Sequence, residues 1–316
     1  MKNIKIIIIT QGLSKIVRPI VDNYNIVGVI ESFPKNYIEK KESILKKIIK
    51  KIFFLQKIKT LKEFCKHNNI PYYSMLKNSL EVKEWIFDKQ PDIIIIYSMS
   101  NLLKEEIFTL PKYGTLNLHP SLLPKYRGPN PWFWQYYNIE KEVGATLHFI
   151  DKGEDTGDIV YQESLQIPLG MKFPLLQDIV IGGLGVKMIF KALENIENLP
   201  RIKQPIKSPT KRAKSILKNE HQTIIDWKNW NIERIWHILR GTELWLNAIE
   251  QPKGIYKGQR WIVENYKKCD MLKYKVSKVY KENGKYFVAC KDGKIYLSIK
   301  FNFKIFFKNL ILKIIR

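Results

Sequence analysis

Apolar residues occur in short, nearly continuous runs in the N-terminal part of the chain. Residues 4–9 form one such run, which ends in a Thr-Gln-Gly turn and is typical of a buried strand. Residues 26–30 and 92–97 have the same character, and residues 61–69 between them have helical spacing. Strands that alternate with helices predict an α/β fold with a doubly wound parallel sheet, whose ligands bind at the carboxyl ends of its strands. Because Gly12 is the only glycine in the turn, we expect no phosphate loop or dinucleotide fingerprint there.

The second part of the chain has a different pattern. A proline-containing stretch at residues 200–209 predicts a linker. Residues 232–239 beyond it have helical spacing, and short strand-like segments separated by Asn-Gly and Asp-Gly turns follow. We therefore predict two domains, residues 1–200 and a smaller, mainly β module at residues 201–316. The strands predicted in this module are residues 261–263, 274–280, 286–289 and 295–299.

Two segments combine apolar residues with many lysines. Residues 35–59 place their leucines and isoleucines near one helical face, which is typical of a surface helix with a solvated opposite face. A membrane-surface helix and a substrate clamp are the alternatives. Residues 301–316 also alternate apolar residues with lysines, so this tail either lies on anionic lipid or packs on the body of the protein.

Composition narrows the class of protein. The chain has 316 residues, of which 45% are hydrophobic, and this excludes wholesale disorder. Its net charge is +24, carried by 46 lysines and 8 arginines spread along the whole chain. Such a diffuse lysine excess indicates a compositional bias more than a nucleic-acid surface, where arginine is the usual base and phosphate reader. Three scattered cysteines predict neither a disulfide framework nor a structural zinc site, and we expect a cytoplasmic protein.

The candidate chemistry lies between residues 114 and 157. Asn117 and His119 alternate along an extended segment, so both side chains point to one side. A loop bracketed by prolines, residues 120–124, follows them, and Asp155 lies in a turn with Thr156 and Gly157. An amide, an imidazole and a carboxylate are a set for acyl transfer without a protein nucleophile. On spacing alone, a structural role for an Asn-x-His pair is the more frequent one.

A longer motif changes this weighting. Asn117-x-His119 is followed by Ser-Leu-Leu-Pro-x-Tyr-Arg-Gly at residues 121–128 and then by Asp-Thr-Gly at residues 155–157. This pattern resembles the signature of the formyltetrahydrofolate-dependent formyltransferases, and the likeness covers residues 75–190 best. The resemblance implies a Rossmann-like formyltransferase domain. It also implies transfer of a formyl group from N10-formyltetrahydrofolate to a primary amine, with no metal.

The resemblance assigns roles residue by residue. It implies that His119 relays the amine proton, that Asn117 donates to the developing oxyanion, and that Asp155 orients His119. It also implies a pterin pocket at the end of the strand at residues 92–97, although core packing is an equal interpretation for two leucines there, Leu102 and Leu103. The cosubstrate residues that we predict are Ser98, Met99, Leu102, Leu103, Ser121, Leu122, Leu123 and Pro124.

Three further side chains have alternative interpretations. Arg127 either holds a substrate phosphate or braces the loop through backbone carbonyls. Trp132 either stacks on the substrate or, more commonly for an aromatic residue, packs in the core. His148, on the strand that leads into the Asp155 turn, supports the site or the fold more often than it takes part in the chemistry.

The acceptor amine is the open question. The segment around residues 126–134 looks closer to sugar N-formyltransferases, which act on nucleotide-linked amino sugars for cell-surface polysaccharide. Methionyl-tRNA formyltransferases resemble the chain in length, β-rich tail and basic charge. They typically have a Gly-Thr-Pro-x-Phe turn after the first strand, which is absent here, and a glycine-rich insertion that residues 35–59 replace. We expect the sugar nucleotide as substrate, with methionyl-tRNA and a non-catalytic binding module as alternatives. A homodimer and a peripheral contact with an anionic membrane are further expectations.

Overall fold

The structure is a computed structural model that describes residues 4–34, 60–76, 80–99, 101–242 and 246–314. The predicted basic insertion at residues 35–59 lies outside the described residues. The chain forms two compact units, each built from three segments. Unit 1 consists of the chain up to Pro129 with Gly144–Ser164 and Asp178–Arg212, and unit 2 consists of Asn130–Val143, Leu165–Gln177 and the chain from Ala213 onward.

A seven-stranded sheet has the order β3-β2-β1-β4-β5-β6-β7. β1 to β5 are parallel and β6 runs antiparallel to β5, so the predicted doubly wound α/β fold is confirmed. The isoleucines of β1 and β4 are fully buried, because helices cover both faces of such a sheet. The strands are β1 Lys5–Thr10, β2 Asn25–Ser32, β3 Tyr72–Met75, β4 Ile93–Tyr97, β5 Thr115–His119, β6 Glu142–Phe149 and β7 Ile159–Gln166.

Two helices, α2 (Leu61–His67) and α8 (Ile232–Gly241), begin at recognisable sequence signals. Thr60 and Glu63 form a reciprocal capping box at the start of α2, and Asn231 caps α8 by accepting from the backbone N–H of Arg234. A π-helical segment, Asp178–Gly185, lies between α6 and α7. The helices are α1 Val17–Asn23, α2 Leu61–His67, α3 Leu80–Lys89, α4 Glu105–Phe108, α5 Pro131–Tyr137, α6 Phe173–Gln177, α7 Val186–Glu194, α8 Ile232–Gly241 and α9 Phe303–Ile314.

The helical run Phe173–Glu194 is long and apolar enough to cross a membrane, judged by length and composition only. Helices that cover the core sheet of a soluble protein pass the same test. Val180, Ile181, Met188 and Ile189 within this run are fully buried.

Unit 2 contains a four-stranded antiparallel sheet in the order β8-β11-β10-β9, so the predicted mainly β module is confirmed as a separate sheet. A strand is predicted at residues 274–280, but β9 begins only at Val279. Ser277 has a positive φ of 69°, and its N–H donates to Ala289 O, so residues 274–278 are not part of the strand. The face of the sheet against α8 forms an apolar core with Ile235 and Ile238 at its centre. The strands are β8 Arg260–Lys268, β9 Val279–Glu282, β10 Lys285–Cys290 and β11 Gly293–Lys300.

The predicted linker and tail have definite structures. Residues 201–212 belong to unit 1, and two segments before residue 200 belong to unit 2, so the division differs from the single boundary predicted after residue 200. The tail forms α9, where Phe303 and Phe307 are exposed. Its contact with an anionic membrane stays a prediction.

Candidate active site

β5 presents Asn117 and His119 on one face of the sheet. Leu118 between them is buried on the opposite face, next to the π-helical segment. A Cβ atom on Gly185 of that segment would lie 2.5 Å from the Leu118 side chain. The helix therefore approaches the strand as closely as a glycine allows, and this packing fixes the strand that carries both polar side chains.

The third group, Asp155, lies in the turn after β6. Its backbone has a φ of +56°, in the left-handed region that aspartate tolerates better than most residues. Asp151 Oδ1 accepts the Thr156 hydroxyl at 2.7 Å and closes the turn. A Cβ atom at Gly157 would lie 1.9 Å from Phe149 O, so the turn returns to the strand only with glycine there. The turn folds the carboxylate back towards β5.

The three predicted catalytic side chains meet. Asp155 Oδ1 accepts from Asn117 Nδ2 at 3.4 Å, and Asp155 Oδ2 lies 3.5 Å from His119 Nδ1. The backbone N–H of Gly128 donates to Asp155 Oδ2 at 2.8 Å. The Asp155 side chain is 14% exposed, so the cluster is enclosed but not sealed from solvent.

His119 faces an oxygen atom with each ring nitrogen. Nε2 lies 3.0 Å from Tyr126 O, and it must donate there because a carbonyl only accepts. With Nε2 engaged by Tyr126 O, Nδ1 is the ring nitrogen that faces the Asp155 carboxylate. This assignment of the tautomer follows from the hydrogen-bond partners. The arrangement suits a proton relay between imidazole and carboxylate.

His148 is a fourth member of the cluster. Burial lowers the pKa of His148 to about 4, Asp155 opposes this shift, and His119 adds to it. The neutral ring donates from Nδ1 to Phe149 O at 2.8 Å, so Nε2 accepts from Asn117 Nδ2 at 3.1 Å. His148 therefore sets the direction of the Asn117 amide, which agrees with the supporting role predicted for it.

The loop at residues 120–124 is held by hydrogen bonds from side chains of β6 and β7. Thr146 Oγ1 donates to Ser121 O at 2.7 Å and accepts from the N–H of Leu123 at 3.1 Å, while Gln162 Nε2 donates to Leu123 O at 2.8 Å. Ser121 and Leu123 are buried, and the Ser121 hydroxyl donates to Lys125 O. Leu122 and Pro124 are partly exposed. Ser121 and Leu123 shape the loop, and the contact of all four predicted residues with a cosubstrate stays a prediction.

The predicted pterin segment lies at the carboxyl end of β4, beside β5. Ser98 is exposed and has a φ of +61°, and Leu102 is 62% exposed although it is a large apolar side chain. Leu103 is 7% exposed and belongs to the apolar core of unit 1, with Met99 packed against that core. Of the two alternatives for Leu103, the structure has core packing. Leu102 and Ser98 remain accessible to a ligand.

Arg127 braces the loop. Its Nη2 donates to Gln204 Oε1 and to Pro205 O, both at 2.8 Å, and its Nη1 donates to Ile206 O at 3.0 Å. With these donors engaged, the structure favours the bracing alternative over a substrate-phosphate contact. Trp132 belongs to unit 2, where its ring packs edge-to-face on Phe173. Its contact with substrate stays a prediction.

The sequence analysis missed the residues that hold the site from a distance. Gln204 and Ser208, in the stretch predicted as a linker, and Thr210, directly after it, bond to the loops of the site. Among the described residues, no group of three His, Cys, Asp or Glu side chains is arranged to hold a metal ion.

Comparison with known proteins identifies the family. A family model described as formyl transferase matches residues 21–171. The methionyl-tRNA formyltransferase of Acetivibrio thermocellus is 31% identical over 246 residues, which cover 75% of this chain and 76% of that enzyme. The chain belongs to the formyl transferase family. The methionyl-tRNA formyltransferase of Clostridium beijerinckii is 34% identical over 200 residues, or 63% of this chain, and this match spans 62% of the length of that enzyme.

A solved formyl transferase structure extends the likeness beyond the family model. The N-formyltransferase from Helicobacter canadensis, in complex with folinic acid and dTDP-3-aminofucose, has a TM-score of 0.58 and 19% identity. The superposition covers 94% of this chain and 100% of that one. At this identity the likeness shows a shared fold. Asn117, His119, His148 and Asp155 all lie within the residues that the family model matches.

Proposed function

We propose that this protein transfers the formyl group of N10-formyltetrahydrofolate to a primary amine. The observation that carries the proposal is that Asn117 Nδ2 and His119 Nδ1 lie 3.4 and 3.5 Å from the two oxygens of the Asp155 carboxylate. Membership of the formyl transferase family supports the same reaction. These three side chains come from two segments of the chain, around residues 117–119 and 155.

Each side chain has a task in this reaction. The cosubstrate supplies the formyl carbon as the electrophile. Asn117 donates an N–H to the negative charge that develops on the formyl oxygen, and it uses the N–H of the longer bond, 3.4 Å to Asp155, because the 3.1 Å bond to His148 is the better one. His119 and Asp155 take up the proton that the amine loses and return it to the nitrogen that departs.

The carboxyl ends of β4 and β5, beside Asn117 and His119, suit binding of the cosubstrate. Ile96 on β4 pairs with Asn117 on β5, so the segment after β4 begins next to the catalytic strand. Leu102 is an exposed apolar side chain on that segment, and Ser98 exposes a hydroxyl there. An apolar wall with a few polar groups at the carboxyl ends of strands is the usual form of a small-molecule site. This segment supports binding of the pterin end.

We infer a nucleotide-linked amino sugar as the acceptor. The structure of the H. canadensis protein, whose complex contains dTDP-3-aminofucose, superposes on 94% of this chain. The turn after β1, Thr-Gln-Gly, also differs from the one typical of methionyl-tRNA enzymes. A methionyl-tRNA acceptor is the second candidate, and the 34% identity to the C. beijerinckii methionyl-tRNA formyltransferase favours it.

Release of tetrahydrofolate with each acceptor tests the proposal. N10-formyltetrahydrofolate is mixed with a panel of nucleotide-linked amino sugars and, separately, with methionyl-tRNA, and each product is checked by mass for one added formyl group. We expect turnover with an amino sugar and none with the tRNA. Turnover with the tRNA alone would reverse the order of the acceptors. If no amine of either class is turned over, the result contradicts the formyl transfer itself.

A further inference from the structure

Residues 202–212, which we name the strap, are bound to the catalytic loops at almost every second position. Ile202 pairs with Ile159 through both backbone groups, at 2.8 and 3.0 Å. The remaining contacts come from side chains at even positions and from two carbonyls near the middle of the strap. These contacts involve Gln204 with Asp155 and Gly157, Pro205 and Ile206 with Arg127, Ser208 with Pro124, Thr210 with Tyr126, and Arg212 with Glu154.

Gln204 is the contact point between the strap and the turn that carries the catalytic carboxylate. Its Nε2 donates to Asp155 O at 3.1 Å and to Gly157 O at 2.7 Å. Its Oε1 accepts from Arg127 Nη2 at 2.8 Å. One side-chain amide therefore ties the backbone of the Asp155 turn to the loop that follows His119. Because Asp155 has a positive φ, the turn needs external bonds to keep its carboxylate in one place.

Thr210 holds the other partner of the imidazole. Its Oγ1 accepts from the N–H of Tyr126 at 2.7 Å, and the carbonyl of the same Tyr126 accepts from His119 Nε2 at 3.0 Å. Tyr126 is 3% exposed and has a φ of +59°. The Ser208 hydroxyl donates to Pro124 O at 2.7 Å in the same loop. The strap therefore fixes an acceptor on each side of His119, at Nδ1 through Gln204 and Asp155 and at Nε2 through Thr210 and Tyr126.

We propose that Gln204 and Thr210 are positioning residues that hold the His119–Asp155 pair in its reactive geometry. The proposal rests on the proposed formyl transfer for its kinetic consequences. Neither side chain contacts the three catalytic side chains: Gln204 acts on the backbone carbonyl of Asp155, and Thr210 acts on the peptide group of Tyr126. Catalytic groups that shift by a fraction of an ångström lose much of their rate advantage.

Two conservative variants remove side-chain hydrogen bonds at one position of the strap each. Gln204→Glu loses the donor to Asp155 O and Gly157 O but keeps an acceptor for Arg127. Thr210→Val loses the acceptor for Tyr126 N with little change of shape, and Thr210→Ser restores it. Ile206→Ala is the matched control, because the Ile206 side chain is 100% exposed and only its backbone carbonyl contacts Arg127.

The kinetic arm uses the full chain with the acceptor that it turns over. We expect Gln204→Glu and Thr210→Val each to lower kcat by about 10-fold, with KM for the amine changed by less than about 3-fold, since the bonds act on proton-transfer groups. Thr210→Ser and Ile206→Ala should stay within about 2-fold of the wild type. A purely structural role would lower the melting temperature and leave kcat per folded molecule unchanged. That result, or kcat within about 2-fold in both strap variants, would overturn the proposal.

The second arm needs no substrate. Protein labelled with 15N in its five histidines gives side-chain nitrogen resonances for His119, assigned by comparison with His119→Asn. We expect the His119 Nε2–H signal to shift in Gln204→Glu and Thr210→Val and to keep its position in Ile206→Ala. A shift in a protein that turns over no amine would support the strap and count against formyl transfer. Unchanged His119 signals in both variants would reject the strap whether or not the protein is active.

Discussion

His148 in unit 1 and His237 in unit 2 are both 1% exposed, and burial lowers the pKa of each to about 4. Their polar surroundings differ. His148 has a partner at each ring nitrogen and a carboxylate, Asp155, 3.7 Å away. His237 Nδ1 accepts from Gly170 N at 2.8 Å, while its Nε2 has no hydrogen-bond partner among the described residues. Burial thus outweighs the nearby carboxylate at His148, and the two rings differ in the groups that they hold.

The two histidines differ in the donor from which the unprotonated ring nitrogen accepts. The lone pair of His148 directs the amide of Asn117, which is a candidate catalytic group. The lone pair of His237 holds a backbone N–H, and its ring packs on Tyr136 at 5.2 Å between centroids. Both histidines therefore have a low pKa, and only the partner of the lone pair distinguishes His148, beside the candidate site, from His237.

The largest effect is expected at the third imidazole, His119, which is the only one of the three that faces Asp155 with an exchangeable position. His119→Ala should lower kcat by more than about 100-fold, the usual scale for a positioned acid–base group. Steady-state release of tetrahydrofolate measures it. Turnover within a few-fold of the wild type would show that His119, like His237, only supports the fold.

Replacing the carboxylate is expected to have the next largest effect. Asp155→Asn should lower kcat by about 100-fold, because the imidazole loses its charged partner. Asparagine keeps an oxygen that accepts from Gly128 N, so the circular dichroism spectrum and melting temperature should stay close to the wild type. Nearly normal turnover would reduce Asp155 to a residue that the turn requires.

A matched pair of substitutions compares the two buried rings directly. His148→Phe leaves Asn117 Nδ2 without its better acceptor, and we expect kcat to fall by about 10-fold, which corresponds to one lost hydrogen bond. His237→Phe should leave kcat within about 2-fold, since its ring bonds only to Gly170. Equal losses in the two variants would remove the distinction drawn between them.

The smallest effect concerns stability at acid pH. A histidine whose folded pKa lies near 4 binds its proton in the unfolded chain first, at about pH 6.5, so stability is complete above that pH and falls as the pH drops towards 4. We expect His237→Phe to reduce the decline of the unfolding free energy between pH 6.5 and pH 4 by on the order of 1 kcal/mol. Denaturant unfolding at several pH values measures it. An unchanged slope would mean that His237 takes up a proton in the folded state as readily as in the unfolded one.

Local sequence patterns predicted the elements, because they depend on burial that the chain itself encodes. The isoleucine runs at residues 4–9 and 92–97 became β1 and β4, and the helical spacing at residues 232–239 became α8. The motif also placed Asn117 and His119 on one strand correctly. Elements whose apolar period is continuous are thus accessible from sequence alone.

Partners far apart in the chain decided what the sequence left open. The two interpretations of Arg127 were equal until Gln204, which lies 77 positions later, supplied its acceptor. The orientation of Asn117 depends on His148, 31 positions away. The strap has no hydrophobic period, and the role of its polar residues can be recognised only from the loops that they contact. Long-range hydrogen bonds leave no local period in a sequence.

The strap also bears on where this chain can be shortened. A truncated version that ends at residue 200, the boundary that composition suggests, would keep every candidate catalytic side chain and delete Gln204 and Thr210 together. Such a fragment would retain the motif by which the family is recognised and lose the ties on both sides of its imidazole. A shortened version would have to extend at least through Arg212, and it would still contain the unit 2 segments Asn130–Val143 and Leu165–Gln177 without the remainder of unit 2.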